Sequence, residues 1–176
     1  VPICDTMGGQ VYSEVAPDSN GGVYIAWTDY RSGIRVYAQH VDSMGVKQWS
    51  QYGVPICAPS VSQLHAKIIG CGNSGCIIAW EDGRSDSNDI YIQKLNWNGT
   101  ILWGASGKPV CTAVGNQKTI CITDDGNQGA ILSWIDTRNG NYDIYAQHVD
   151  SAGAVGVAGN PTIYTKGGQL SLSRIV

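Results

Sequence analysis

Residues 10–27 read QVYSEVAPDSNGGVYIAW, residues 63–80 read QLHAKIIGCGNSGCIIAW, and residues 117–134 read QKTICITDDGNQGAILSW. Each stretch is 18 residues long without a gap, and the starts lie 53 and then 54 residues apart. The match runs on past each tryptophan. The continuations are WTDYRSGIRVYAQHVDSMG, WEDGRSDSNDIYIQKLNWNG and WIDTRNGNYDIYAQHVDSAG, followed by VKQWSQYGVPIC, TILWGASGKPVC and AVGVAGNPTIY. The opening VPIC matches the end of a repeat, and Gln169 opens a fourth copy. A period of this length is the mark of a repeat architecture.

Each repeat parses into four short strands. In the second repeat, residues 63–70 form the first strand, and a Gly/Asn turn follows. Residues 76–80 are a continuous apolar run, as in a strand buried on both faces. The W-x-D-x-R-x-G loop leads to a third strand over 89–95, where Ile90 and Ile92 alternate with polar residues. Asn98-Gly99 then predicts a hairpin turn into a fourth strand over 100–103. No amphipathic helical segment is present.

A four-stranded antiparallel unit of about 40–50 residues in tandem predicts an all-β chain built from β-propeller blades. One such sheet cannot bury both faces alone, whereas radial stacking buries them. The expected blades cover approximately residues 10–57, 63–111 and 117–164, with 169–176 as the first strand of a further blade. The whole of 1–176 is then one repeat domain, three repeats plus a partial fourth. Three blades leave two raw faces, so the ring is expected to be completed by the rest of a longer chain or by self-association. A β-trefoil, with three repeats of four strands, is the alternative fold.

Composition narrows the partners. The chain has 176 residues, 14% of them charged, with a formal net charge of −3. No long basic stretch points to nucleic acid. The longest apolar runs are strand-sized, so neither a membrane span nor a signal-peptide core is read. A start at Val1 is expected of a mature or trimmed product. The even cysteine count, six in a Gly-rich β-type chain, fits an oxidising compartment. Cys71 and Cys76 flank Gly-Asn-Ser-Gly. If that is a hairpin loop, the two oppose each other and are expected to form a disulfide. Cys4, Cys57 and Cys111 are repeat-equivalent and so too far apart to join one another; their pairing and that of Cys121 stay open.

The run A-W-x-D-x-R-x-G…D-I-Y-A-Q-H-V-D-x-x-G…W…G-x-P-V-C resembles the repeats of large secreted bacterial β-propeller proteins. That resemblance implies an extracellular or cell-surface module. A looser similarity links Asp42-Ser43-Met44-Gly45…Trp49 and Asn96-Trp97-Asn98-Gly99…Trp103 to the Asp-box turns of sialidase-type propellers; the third copy carries Val157 in the tryptophan's place.

A residue present in every copy is explained most economically by construction of the repeat. Trp27, Trp80 and Trp134 are expected as wedges between blades. Asp29 with Arg31, Asp82 with Arg84, and Asp136 with Arg138 read as loop-bracing ion pairs. The rival reading has Arg31, Arg84 and Arg138 converge on an anionic ligand, as an arginine triad does on a sialic-acid carboxylate. The direction each arginine points decides between them. His40 and His148 share a position with Lys94, which predicts a surface site. His65, Glu14 and Glu81 are not repeated, and His65 reads as structural. No recognisable catalytic context, metal motif or P-loop surrounds them.

Trp97 departs from its equivalents Ser43 and Ser151, and at an exposed turn it is a candidate for stacking on a carbohydrate or touching a protein ligand. Asn98-Gly99-Thr100 matches a glycosylation sequon, coincident with the turn. No cofactor is expected. Calcium is the one candidate ion, in the oxygen-rich loops 18–22 and 124–129, although hairpin turns favour the same residues. The expectation is a secreted or cell-surface, non-catalytic binding and scaffolding module. The alternatives are a sialidase-like glycoside hydrolase fragment and a structural subunit of an extracellular fibre or coat.

Overall fold

The structure, a computed structural model, describes residues 1–58, 61–85, 87–156 and the backbone of 162–164. It is all-β, and three four-stranded antiparallel sheets follow one another along the chain. The first holds β1 (Gln10–Pro17), β2 (Val23–Asp29), β3 (Arg35–Val41) and β4 (Val54–Pro55). The second holds β5 (Gln63–Gly70), β6 (Cys76–Asp82), β7 (Asp89–Leu95) and β8 (Lys108–Cys111). The third holds β9 (Gln117–Asp124), β10 (Ala130–Asp136), β11 (Asp143–Val149) and β12 (Thr162–Tyr164). The expected strand over 169–176 lies outside the described residues.

Strands pair in sequence order, and among the described residues every ladder stays within one repeat. A β-trefoil closes a barrel by pairing strands of different repeats, so this pairing is not that of the alternative fold. No helix of the described residues is long and apolar enough to cross a membrane.

The sheets pack face to face. Ala26, Val36 and Ala38 of the first sheet share one apolar cluster with Cys76, Ile78 and Trp80 of the second. Ile77, Ala79 and Ile92 of the second sheet share another with Leu132, Trp134 and Tyr145 of the third. Alternate residues of β6 thus enter different clusters, as the two-residue period of a strand requires. All seven residues of β6 and of β7 are buried. The continuous apolar run of β6 is explained by neighbours on both sides.

Two expectations are corrected. Ile101 makes only an isolated bridge to Leu95, and the fourth strand is β8, the G-x-P-V-C segment. The Asn98-Gly99 turn is wider than two residues, because the Asn96 side chain accepts the N–H groups of Asn98 and Thr100. Asp42 and Asp150 hold the same turn in their repeats. The chain then swings away so that Trp49 and Trp103 can reach the next repeat. Gly99 and Gly153 have φ near +80°, and an added Cβ would lie 2.9 Å from the ring of Trp49 or Trp103. Each indole therefore seats on the turn of the following sheet.

The expected Cys71–Cys76 disulfide is the second correction, since both are free thiols. Cys76 pairs with Gly70, not Cys71. Cys76 packs in the cluster toward the first sheet, and Cys71 packs against the cluster toward the third. Residues that project to opposite faces of a sheet cannot be bridged without moving the backbone. Burial pushes the Cys71 thiol up to about 11 and the Cys76 thiol well above its ordinary value.

Candidate functional site

The recurring W-x-D-x-R loop builds the same assembly three times. Asp29, Asp82 and Asp136 end β2, β6 and β10 and are fully buried. Oδ2 of each accepts the indole N–H of the tryptophan two residues back, at 2.9, 2.7 and 3.1 Å. Oδ1 accepts the backbone N–H of the arginine two residues on, at 2.9, 3.1 and 2.9 Å. The guanidinium then forks onto both oxygens through Nε and Nη2. A buried carboxylate is tolerable only when so fully satisfied. Burial pushes the Asp29 and Asp136 carboxyls up, yet the arginine, indole and backbone donors outweigh it and hold both below the ordinary value. Each arginine also lies over a tyrosine of the third strand, Tyr37, Tyr91 or Tyr145, at 4.2, 3.7 and 4.0 Å from the ring centre.

Each guanidinium is thus engaged by the aspartate of its own repeat. Arg31 Nη2 further donates to the Tyr52 carbonyl, and Arg84 Nη2 to the Ser106 carbonyl.

The cysteines complete the assembly in a way the sequence reading missed. Arg31 Nη2 lies 2.9 Å from Cys4 Sγ, Arg84 Nη2 3.6 Å from Cys57 Sγ, and Arg138 Nη2 2.9 Å from Cys111 Sγ. The separation is 27 residues each time. Cys57 and Cys111 come from the preceding repeat, so the contact ties successive sheets together. Constancy of that spacing was the available signal. Cys4 and Ile3, from the opening VPIC, take the equivalent place over the first sheet. There, with Gln10, Ser13, Val15, Ile25 and Trp27, they line a cavity of about 370 Å³. Trp80 and Trp134 lie between sheets, whereas Trp27 borders this cavity.

The expected surface position on the third strand is corrected. His40 and Lys94 are 3% and 4% exposed. The stacking of the next sheet covers them. His40 Nε2 pairs with Asp18 Oδ2 at 2.9 Å, and its ring lies against Tyr24 and Trp97. Lys94 reaches the Gln128 carbonyl of the third sheet at 2.7 Å. His148, on the last sheet, is half exposed, although its Nε2 meets Asp125 Oδ2 at 2.7 Å.

Asp18 and Asp125 occupy equivalent positions in the calcium-candidate loops. Oδ1 of Asp18 accepts the N–H groups of Asn20 and Gly22, and Oδ1 of Asp125 those of Asn127 and Gly129. Their second oxygens face histidine. Among the described residues no group of three or more His, Cys, Asp or Glu side chains is placed to hold a metal ion. Trp97 is half exposed; its carbonyl accepts the Trp49 indole N–H at 2.8 Å.

The unrepeated ionisable residues lie at the contacts between successive sheets. Glu81 is buried, and its Oε1 accepts the Thr119 N–H at 2.8 Å. Its Oε2 lies 3.1 Å from His65 Nδ1 and accepts from Asn88 Nδ2 at 3.3 Å. Tyr12 stands edge-on to His65 at 5.1 Å, and Glu14 is ion-paired with Lys67. Comparison of the chain with models of known protein families and with curated proteins gives no match.

Proposed function

We propose that the chain is part of a β-propeller of the secreted bacterial type, acting at the cell surface or outside the cell as a non-catalytic binding and scaffolding module. The observation that carries this is the unequal cover of equivalent positions. The two central strands of the middle sheet, β6 and β7, are buried throughout, while Ile25 and Val15 at one end and Ile131 and His148 at the other are only partly covered. Internal positions equivalent to Ile25, namely Ile78 and Leu132, are fully buried. Further sheets of the same repeat are what such ends accept. They come from the remainder of a longer chain or from other copies, and the open ends are heterologous, so they join head to tail. Each arginine is forked onto the aspartate of its own repeat, which favours construction over an anion-binding hydrolytic centre.

The test combines solution mass, negative-stain images and an apolar dye. Rings or dye-binding monomers are expected, with no turnover of fluorogenic sialosides and other glycosides. Open filaments would favour the fibre or coat reading. A dye-silent monomer would overturn the propeller reading, and glycoside turnover the non-catalytic one.

A further inference from the structure

The first strands of the three sheets carry a β-bulge at the same place. The bulge residues Tyr12, His65 and Thr119 have φ of +54°, +50° and +60°. Recurrence makes the backbone distortion part of the repeat. What it presents differs from copy to copy, and bulges commonly re-aim a side chain. Behind the bulge the second strand contributes Thr28, Glu81 and Ile135 in turn. Only the middle sheet places a carboxylate there, and only there is the bulge residue an imidazole.

Glu81 determines which nitrogen faces outward. A carboxylate accepts, so Nδ1 carries the proton and Nε2 of the neutral ring is an acceptor. The His65 side chain is 47% exposed, and Tyr12 beside it is 58% exposed. Two residues further along the same strands, Glu14 and Lys67 form a half-exposed ion pair. An aromatic ring, an oriented acceptor and a charged pair therefore share one surface across β1 and β5. Three of its four side chains are polar or charged, whereas the buried core of a protein interface is depleted of charge. An apolar C–H face with hydroxyls around its rim suits it.

We infer that this surface binds a pyranose sugar, with the ring face on Tyr12, a hydroxyl donating to His65 Nε2, and Glu14 and Lys67 taking further hydroxyls. Glu81 acts as a positioning residue. The inference rests on the binding-module reading and adds the ligand class and the place.

The experiment is an NMR titration of the whole chain with the methyl glycosides of glucose, galactose, mannose and N-acetylglucosamine. At least one is expected to shift the Tyr12 and His65 resonances. Tyr12→Asn and His65→Asn are the variants of choice, because asparagine tolerates positive φ and the bulge is kept. Each is expected to weaken binding about tenfold or more, the equivalent of one lost hydrogen bond or stacking contact. Glu81→Gln is expected to weaken binding less and to alter the His65 ring-nitrogen shifts, which mere loss of packing would leave alone. Absence of any perturbation overturns the site. Binding that survives both asparagine variants, or maps to Trp97 and vanishes in Trp97→Ser, also overturns it. Glycoside turnover with these residues perturbed would instead sink the non-catalytic reading and leave the site standing.

Discussion

Residues 37–41 and 145–149 have the same sequence, YAQHV, on equivalent third strands, yet their environments differ. In the first copy all five residues are buried. In the third, Ala146 is partly open and His148 is exposed, while Tyr145, Gln147 and Val149 stay buried. One face of the strand is closed within the chain in both copies. The other is closed only where a following sheet is present. Identical local structure therefore reports directly on tertiary neighbours. The His–Asp pair forms in both places, so the pairing is local, and only its shielding from water comes from stacking.

The largest effect expected from this contrast concerns the tryptophans. Trp80→Ala removes an indole enclosed between two sheets and is expected to cost about 3–5 kcal/mol. Trp27→Ala is expected to cost clearly less, because that indole already borders the cavity of about 370 Å³ on the end face. Urea unfolding of both variants measures the difference, and equal costs would break the comparison.

Acid stability gives a middle-sized effect. The hydrogen bond from His40 holds the Asp18 carboxyl below its ordinary value of 3.8, and that from His148 does the same for Asp125. Depressed carboxyls stabilise the fold at pH above their unfolded value, and this contribution disappears as pH falls through the folded value. Melting temperature is thus expected to drop as pH falls below 3.8. Asp18→Asn is expected to flatten that limb more than Asp125→Asn, since water screens the exposed pair. Melting curves from neutral pH to about pH 2 distinguish the two. A larger effect at Asp125 would show that the covering sheet does not matter.

The smallest effect concerns Thr28, which is fully buried and stands where the middle sheet has Glu81. Among the described residues its hydroxyl has no hydrogen-bond partner. Thr28→Val keeps the branched shape suited to a strand and removes the orphan, with an expected gain of up to about 1 kcal/mol. A rise in melting temperature checks it, and a fall would mean the hydroxyl is satisfied.

Much of this was open to a reading of residues alone. Tandem recurrence marks the three units, and strand periodicity places the first three strands of each. The W-x-D-x-R loop reads as an ion pair because arginine follows aspartate at a fixed step, and the geometry has each arginine on its own aspartate. The fourth strand does not follow the Asn98-Gly99 turn directly, because the Asn-Gly signal is local. Pull of Trp49 and Trp103 toward the next sheet is not. Cys71 and Cys76 stay unbridged because loop length sets proximity, whereas register sets the face. Lys94 read as exposed because charge on a strand usually is; here the ammonium reaches a carbonyl of another sheet.

Order along the chain thus determined the units, their strands and the contacts made within each loop, because those depend on residues a few positions apart. Which face is dry, which histidine is shielded, and how Glu81 comes to hold both His65 and Thr119 were decided only by stacking of sheets. Burial and long-range hydrogen bonding belong to pairs of surfaces, and no single repeat contains both members of the pair.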